Sequence, residues 1–189
     1  LTWLGEFSEE FIPNNKYLMV DTKLFDDDFK HQLLASFEDI EDETDGTLIQ
    51  GDNFQALNLL LEKYRSNIHT IYIDPPYNTG NEFIYKDNFQ HSSWLSMMNS
   101  RLAKSRQLLS DNGLFFSSID DNELNNLAHL LDNTFSERVN LVAVRNNPKG
   151  RGLDKYMSTS HEYLFSYAQK PTELSGIPKS EEKIAEQYN

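Results

Sequence analysis

The order of apolar runs between residues 47 and 73 constrains the fold of this chain more than any other feature. Thr47-Leu48-Ile49-Gln50 reads as a short strand closed by Gly51. Asp52 and Asn53 are residues that cap a helix start, because their side-chain oxygens accept from free backbone amides. Leu57, Leu60, Leu61 and Tyr64 follow at three- to four-residue spacing and carry that helix to about Arg65. Thr70-Ile71-Tyr72-Ile73 is a second short apolar run. Strand, helix, strand at this pace predicts an α/β fold with a parallel sheet.

The rest of the chain continues the pattern. A helix is expected from Ser92 or Ser93, with Trp94, Met97, Met98, Leu102 and Leu109 inward and Arg101, Lys104 and Arg106 outward. Asp111-Asn112-Gly113 reads as a helix stop and turn, and 114–119 as a strand. Asp120 with Glu123 three later has the form of a capping box for a helix through Leu131. Further strands are predicted over 139–145 and 163–168, separated by a polar loop.

Composition narrows the function classes. The chain has 189 residues, enough for roughly one domain with a real core. It has no cysteine, which excludes disulfides, thiolate metal sites and cysteine catalysis. No ligand spacing points to a metal. No run approaches the roughly 18 apolar residues of a membrane span, and no signal peptide opens the chain, so a cytoplasmic protein without a membrane partner is expected. The net charge is −13, which argues against a simple phosphate-gripping protein. The acidity is uneven, however. Residues 1–50 carry 13 acids against 3 bases, whereas residues 51–189 carry 17 against 14.

Residues 1–45 therefore read as an acidic arm, with Phe25, Phe29, Leu33, Leu34 and Phe37 on one face of a short helix. The run Asp26-Asp27-Asp28 is either a solvated face or a docking surface for a basic partner. Residues 46–170 read as the catalytic domain and residues 171–189 as a linker. One basic cluster stands out, with Arg145, Lys149, Arg151 and Lys155 against Asp154 alone. It reads equally as a phosphate-binding loop or a solvated one.

Asp74-Pro75-Pro76-Tyr77 carries the chemistry. It follows a buried strand directly, and open parallel sheets bind ligands outside the carboxyl ends of their strands. The exocyclic amine of a nucleobase is a poor nucleophile, because its lone pair is delocalised into the ring. Two acceptors aimed at its N–H groups would pull the nitrogen toward tetrahedral geometry and free that pair. The Asp74 carboxylate is one acceptor, and a main-chain carbonyl, that of Pro75 first, is the other. Proline restricts the backbone and can hold that carbonyl rigidly. Tyr77 offers a flat face on which a flipped base can stack, worth about 1–3 kcal/mol.

These residues resemble the S-adenosylmethionine-dependent amino-methyltransferases, whose motif is Asp/Asn/Ser-Pro-Pro-Tyr/Phe/Trp. The wider context is similar to the modification subunit of a type III restriction–modification system. It comprises Leu48-Ile49-Gln50-Gly51-Asp52-Asn53, then Ile71 to Gly80, Phe83 to Phe89, Trp94 to Met98 with Arg101-Leu102, residues 108–121, and Ser160-His161-Glu162-Tyr163.

The resemblance implies a β-class adenine-N6 DNA methyltransferase with a Rossmann-like sheet and permuted motif order. Asp before Pro-Pro is similar to the adenine-N6 enzymes. It implies Asp74, Pro75, Pro76 and Tyr77 as catalytic, with Asp52 and Asn53 at the cofactor. It further implies His161 near the target base. Beside it, Asn78, Thr79 and Gly80 read as shaping the loop next to that base, Tyr85 as either a DNA contact or a packing aromatic, and Lys149 and Arg151 as the phosphate contacts of the basic cluster. The implied partners are double-stranded DNA, a restriction subunit and a second copy of the chain.

No Phe-x-Gly-x-Gly-like cofactor segment is present. An N-terminal piece of a larger enzyme is therefore expected, with an incomplete sheet lacking its C-terminal strands and weak or no cofactor binding of its own. In this class the strand at 47–50 lies apart from that at 70–73, so a gap or a re-paired strand is expected there. Two other functions stay open. One is a catalytically silent interaction module. The other is an amino-methyltransferase acting on RNA or protein glutamine.

Overall fold

The computed structural model describes residues 21–80, 86–146 and 160–170. It falls into two units, Leu1–Ile49 and Gln50–Asn189.

In the first unit, helix α1 spans Asp27–Ala35. Asp26 caps it, its Oδ1 accepting from the Phe29 amide at 2.8 Å. Asp27 and Asp28 fill the first turn, where free amides and the helix dipole favour negative charge. The acidic triplet thus has a local reason to exist. Phe25 stacks on Phe29 with ring centroids 4.3 Å apart. The helix ends before Phe37 and buries none of its residues, so the expected apolar face is shorter than its sequence pattern. The strand expected over 47–50 does not form, and Leu48 is 97% exposed. No described strand pairs with these residues, and an extended segment without ladder partners gains nothing from strand geometry.

The second unit contains α2 (Asn53–Tyr64), β1 (Ile68–Ile73), α3 (His91–Leu108), β2 (Leu109–Ile119), α4 (Leu124–Thr134), β3 (Glu137–Arg145) and β4 (His161–Ala168). The sheet order is β1-β2-β4-β3. β1 and β2 are parallel, while β4 runs antiparallel to both β2 and β3. The α/β class is as expected, but the sheet is mixed. The long β3–β4 connection returns the chain antiparallel beside β2, which needs no helical crossover.

Several boundaries differ from expectation: β1, β3 and β4 each begin two residues early, and α4 runs on to Thr134. Residues 110–113 lie inside β2 rather than in a turn, because α3 has already ended at Leu108. The register slips there. Ile68 pairs with Leu109, but Thr70 pairs with Leu114, so extra residues bulge out of the ladder. Gly113 is required in that bulge, since a Cβ would stand 2.9 Å from the Ser110 carbonyl oxygen. The Asp120/Glu123 capping box does not form. Asp120 instead accepts from Asn122, and Glu123 at the helix start turns inward without capping it.

Helices α3 and α4 pack on one face of the sheet over Phe115, Ile119, Phe165 and Tyr167, with Trp94, Met98, Leu102, Leu127 and Leu131 filling the layer between. Burying each such side chain contributes about 1.5–3 kcal/mol, which fixes α3 and the end of β1 relative to each other. Arg101 is half-buried rather than outward, because it folds back over the start of α2. No helix among the described residues is long and apolar enough to cross a membrane.

Candidate active site

β1 delivers Asp74-Pro75-Pro76-Tyr77 at its carboxyl end. Asp74 is exposed and Pro75 is buried. The Pro76 carbonyl accepts from the indole Nε1 of the fully buried Trp94 at 2.8 Å. That bond is a main-chain anchor linking the motif to α3. It also leaves the Pro75 carbonyl as the one in the Pro-Pro pair that has no hydrogen-bond partner among the described residues.

Two cavities meet at this motif, and both are lined by Tyr72, Asp74, Pro75 and Pro76. The first, about 550 Å³, runs over an apolar floor of Leu57, Ile71, Met97 and Leu102 to Asp52, Asn53 and Arg101. Asp52 caps α2, with its Oδ1 accepting from the amides of Phe54 at 3.0 Å and Gln55 at 3.2 Å. Its other oxygen lies 3.7 Å from the Arg101 guanidinium, which also donates to Asn53 Oδ1 at 2.6 Å. Capping and cavity lining are thus both open to Asp52, since they use different oxygens.

The second cavity, about 720 Å³, is lined by Tyr77, Lys86, Phe89, Ser118, Asn146 and Glu162 beyond the shared residues. The Tyr77 hydroxyl donates to Glu162 Oε2 at 3.2 Å. Burial raises the Tyr77 phenol above its ordinary value, and the negative charges of Asp74 and Glu162 push it further the same way. The phenol is therefore held protonated and donating.

The loop after the motif is pinned from beneath. Asn78 adopts a left-handed conformation, φ 59°, which Asn tolerates better than most residues. Gly80, at φ 77°, needs the same freedom. Asp87, 2% exposed, accepts from the Asn78 amide at 2.8 Å, the Thr79 amide at 2.9 Å and the Thr79 hydroxyl. The Asn78 side chain donates to Phe89 O at 3.1 Å and to Glu123 Oε1 at 2.5 Å, and accepts from Phe89 N at 2.6 Å. Glu123, fully buried, also bonds His91 Nδ1 at 2.7 Å and Asn126 Nδ2 at 2.6 Å. The amide of Asn78 is thus occupied by the protein itself.

Of the residues singled out from sequence, Asp52, Asn53, Asp74, Pro75, Pro76 and Tyr77 converge on the two adjoining cavities. Asn78, Thr79 and Gly80 lie in the adjacent loop and line neither. His161 begins β4 with its Nε2 3.0 Å from the Tyr163 hydroxyl, and it too lines neither. Tyr85, Lys149 and Arg151 lie outside the described residues, as do Phe83, Asp154 and Lys155. Sequence reasoning gave no site role to Asp87, Glu123, Glu162 or Asn146, although Asp87 and Glu162 stand inside segments that carry the family resemblance and Glu123 was read as half of a capping box.

Residues 68–189 match the DNA methylase family of N6 and N4 methyltransferases. The chain is 36% identical over 149 residues to the type II methyltransferase M.KpnI of Klebsiella pneumoniae, covering 72% of this chain and 36% of that protein. It is 31% identical over 203 residues to the EcoPI Mod subunit, a type III restriction–modification enzyme of Escherichia phage P1, covering 89% and 30%. The chain thus spans about a third of the length of these two curated relatives. Among solved structures, it superposes on TTHA0409 of Thermus thermophilus, provisionally assigned as a DNA modification methylase. That match has a TM-score of 0.52 at 12% identity, covering 74% of this chain and 62% of the other.

Proposed function

The chain belongs to the DNA methylase family, and from that premise we propose that the protein methylates adenine N6 in double-stranded DNA, as the modification subunit of a type III restriction–modification system. The observation that carries this reading is the position of Asp74 and Pro75 on the wall common to two cavities. A methyl donor on one side and a base on the other would meet at these two acceptors.

The first cavity fits S-adenosylmethionine. Its volume lies within the roughly 300–1,000 Å³ of small-molecule sites, with an apolar floor and a few polar groups at one end. Asp52, Asn53 and Arg101 would hold the cofactor, and Met97 and Leu102 would pack against it. When bound, the cofactor supplies an electrophilic sulfonium methyl.

The rest of the chemistry belongs to this chain. Tyr77 stacks the flipped base, and its protonated hydroxyl keeps a third negative charge out of that cavity, beside those of Asp74 and Glu162. Asp74 and the Pro75 carbonyl accept the two N–H groups of N6 and turn the lone pair toward the first cavity. After transfer, the surplus proton on N6 leaves through exposed Asp74 to solvent. Catalysis is then positioning plus fixed acceptors, with no strong base. The type III assignment rests on the Mod-subunit relatives, and the adenine-N6 assignment on Asp74 before Pro-Pro. The former makes a restriction subunit the partner, and pairing with a second copy follows the family resemblance alone.

The test is Asp74→Ala in the full-length protein, assayed by transfer of labelled methyl from S-adenosylmethionine to DNA. Loss of transfer with retained folding supports the assignment, and near-normal transfer refutes it.

A further inference from the structure

The second cavity contains a carboxylate that the mechanism above does not use. Glu162 lies on β4, and its Oε2 accepts from the Tyr77 hydroxyl at 3.2 Å and from Asn146 Nδ2 at 3.0 Å. Asn146 follows the last residue of β3, and its amide bonds the Ser160 carbonyl at 3.0 Å, closing the base of the β3–β4 connection. One carboxylate oxygen therefore ties the aromatic face of the Asp-Pro-Pro-Tyr motif to the ends of two strands. Both bonds are charge-assisted, the stronger kind.

We infer that Glu162 is a positioning residue, which fixes the tilt of the Tyr77 ring, and hence of the base stacked on it, by holding the Tyr77 hydroxyl and the Asn146 amide together. This rests on the reading of Tyr77 as the stacking platform. The geometry explains why the hydroxyl is the right place to hold. It lies on the long axis of the ring, at the end far from the backbone, so fixing its position fixes χ1. Because a phenol O–H lies in the ring plane, the direction of its bond to Glu162 selects χ2. A rigid proline on the near side and a hydrogen bond on the far side leave the ring little freedom to tilt. Stacking energy varies little with small tilts, but delivery of N6 to Asp74 does not tolerate them. Misplacement of about 1 Å can cost on the order of a hundredfold in rate. The role predicts an effect on turnover with little effect on cofactor binding, since Glu162 does not line the first cavity.

The test is a double-mutant cycle in the full-length protein with Glu162→Gln, Tyr77→Phe and both together. Tyr77→Phe keeps the stacking face and removes only the hydroxyl. kcat and KM for DNA, and KM for S-adenosylmethionine, are measured alongside the fluorescence of 2-aminopurine at the target position. Each single change should lower kcat roughly tenfold with the KM for S-adenosylmethionine unchanged, and the double change should be no worse than either. The 2-aminopurine signal should shift equally in all three.

Additive losses, or an unaltered kcat in Glu162→Gln, overturn the inference while leaving the methyltransferase reading intact. If the unaltered protein transfers no methyl to DNA, that reading fails instead. The clamp is then judged by 13Cζ-tyrosine NMR. Glu162→Gln must lower the Tyr77 ionisation partway, with burial and Asp74 still holding it above that of an ordinary phenol, and an unmoved titration refutes the contact.

Discussion

Glu123 gives the sharpest stability test, because replacing it separates lost acceptors from lost charge. It is fully buried and receives Asn78 Nδ2, His91 Nδ1 and Asn126 Nδ2. In Glu123→Ala all three donors lose their acceptor. The His91 side chain is 69% exposed and Asn126 is half-buried on α4, so both can turn to water at small cost. Asn78 cannot, because Phe89 and Asp87 hold its remaining groups. Its stranded N–H costs roughly 1–3 kcal/mol, and the one lost buried methylene adds about 0.8 kcal/mol. The expected destabilisation is therefore about 3 kcal/mol.

Glu123→Gln behaves differently. It keeps the methylenes and an acceptor oxygen for Asn78, and its amide can face Asn126, whose own amide can rotate to present oxygen. Its cost should stay below about 1 kcal/mol. Urea unfolding followed by Trp94 fluorescence, in a Trp3→Phe background, measures both. Equal losses in the two variants would mean that charge, not acceptor geometry, matters at this position. A loss under about 1 kcal/mol in Glu123→Ala would refute the claim that Asn78 has no alternative partner.

Other outcomes follow from the same contacts. Trp94→Phe removes the donor to the Pro76 carbonyl and leaves a small void; it should cost roughly 2 kcal/mol in urea unfolding and lower methyl transfer as well. Arg101→Ala frees Asp52 and Asn53, and calorimetry should show S-adenosylmethionine binding weakened by roughly tenfold, the equivalent of one charge-assisted bond. Burial would raise the Asp132 carboxyl, but hydrogen bonds from Tyr167 and Arg138 outweigh it and hold the group below its ordinary 3.8. That stabilisation is fully present above pH 3.8 and is lost as pH falls through the lower folded value. Asp132→Asn should therefore narrow its stability deficit relative to the unaltered protein as acid unfolding proceeds, and a deficit constant with pH would contradict it.

The legible part of this protein was local. An apolar quartet followed by Asp-Pro-Pro-Tyr announces a strand end and its chemistry within eight residues, and Asp52 announces a cap through its place before a periodic run. The roles of Asp87 and Glu123 were not legible. Asp87 stood in a recognised segment with no role attached and Glu123 read as a helix cap, while their shared partner Asn78 lies 9 and 45 residues away. Arg101 was misplaced for a related reason. Helical periodicity gives the direction of a side chain but not its reach, and a long guanidinium can fold back across the start of α2. The quartet at 47–50 shows the converse limit, since an apolar run states the capacity to be a strand without stating whether a partner strand exists. The acidic triplet at 26–28 read as a solvated face or a docking surface, and its geometry is that of a cap and first turn on a helix that buries none of its residues.

The most direct test of the account is the chemical identity of the product. Full-length protein is incubated with S-adenosylmethionine carrying labelled methyl and with duplex DNA, and the DNA is digested to nucleosides and resolved. Label in N6-methyladenine, absent with Asp74→Ala, is the predicted result. Label in N4-methylcytosine, or equal label with Asp74→Ala, would contradict it.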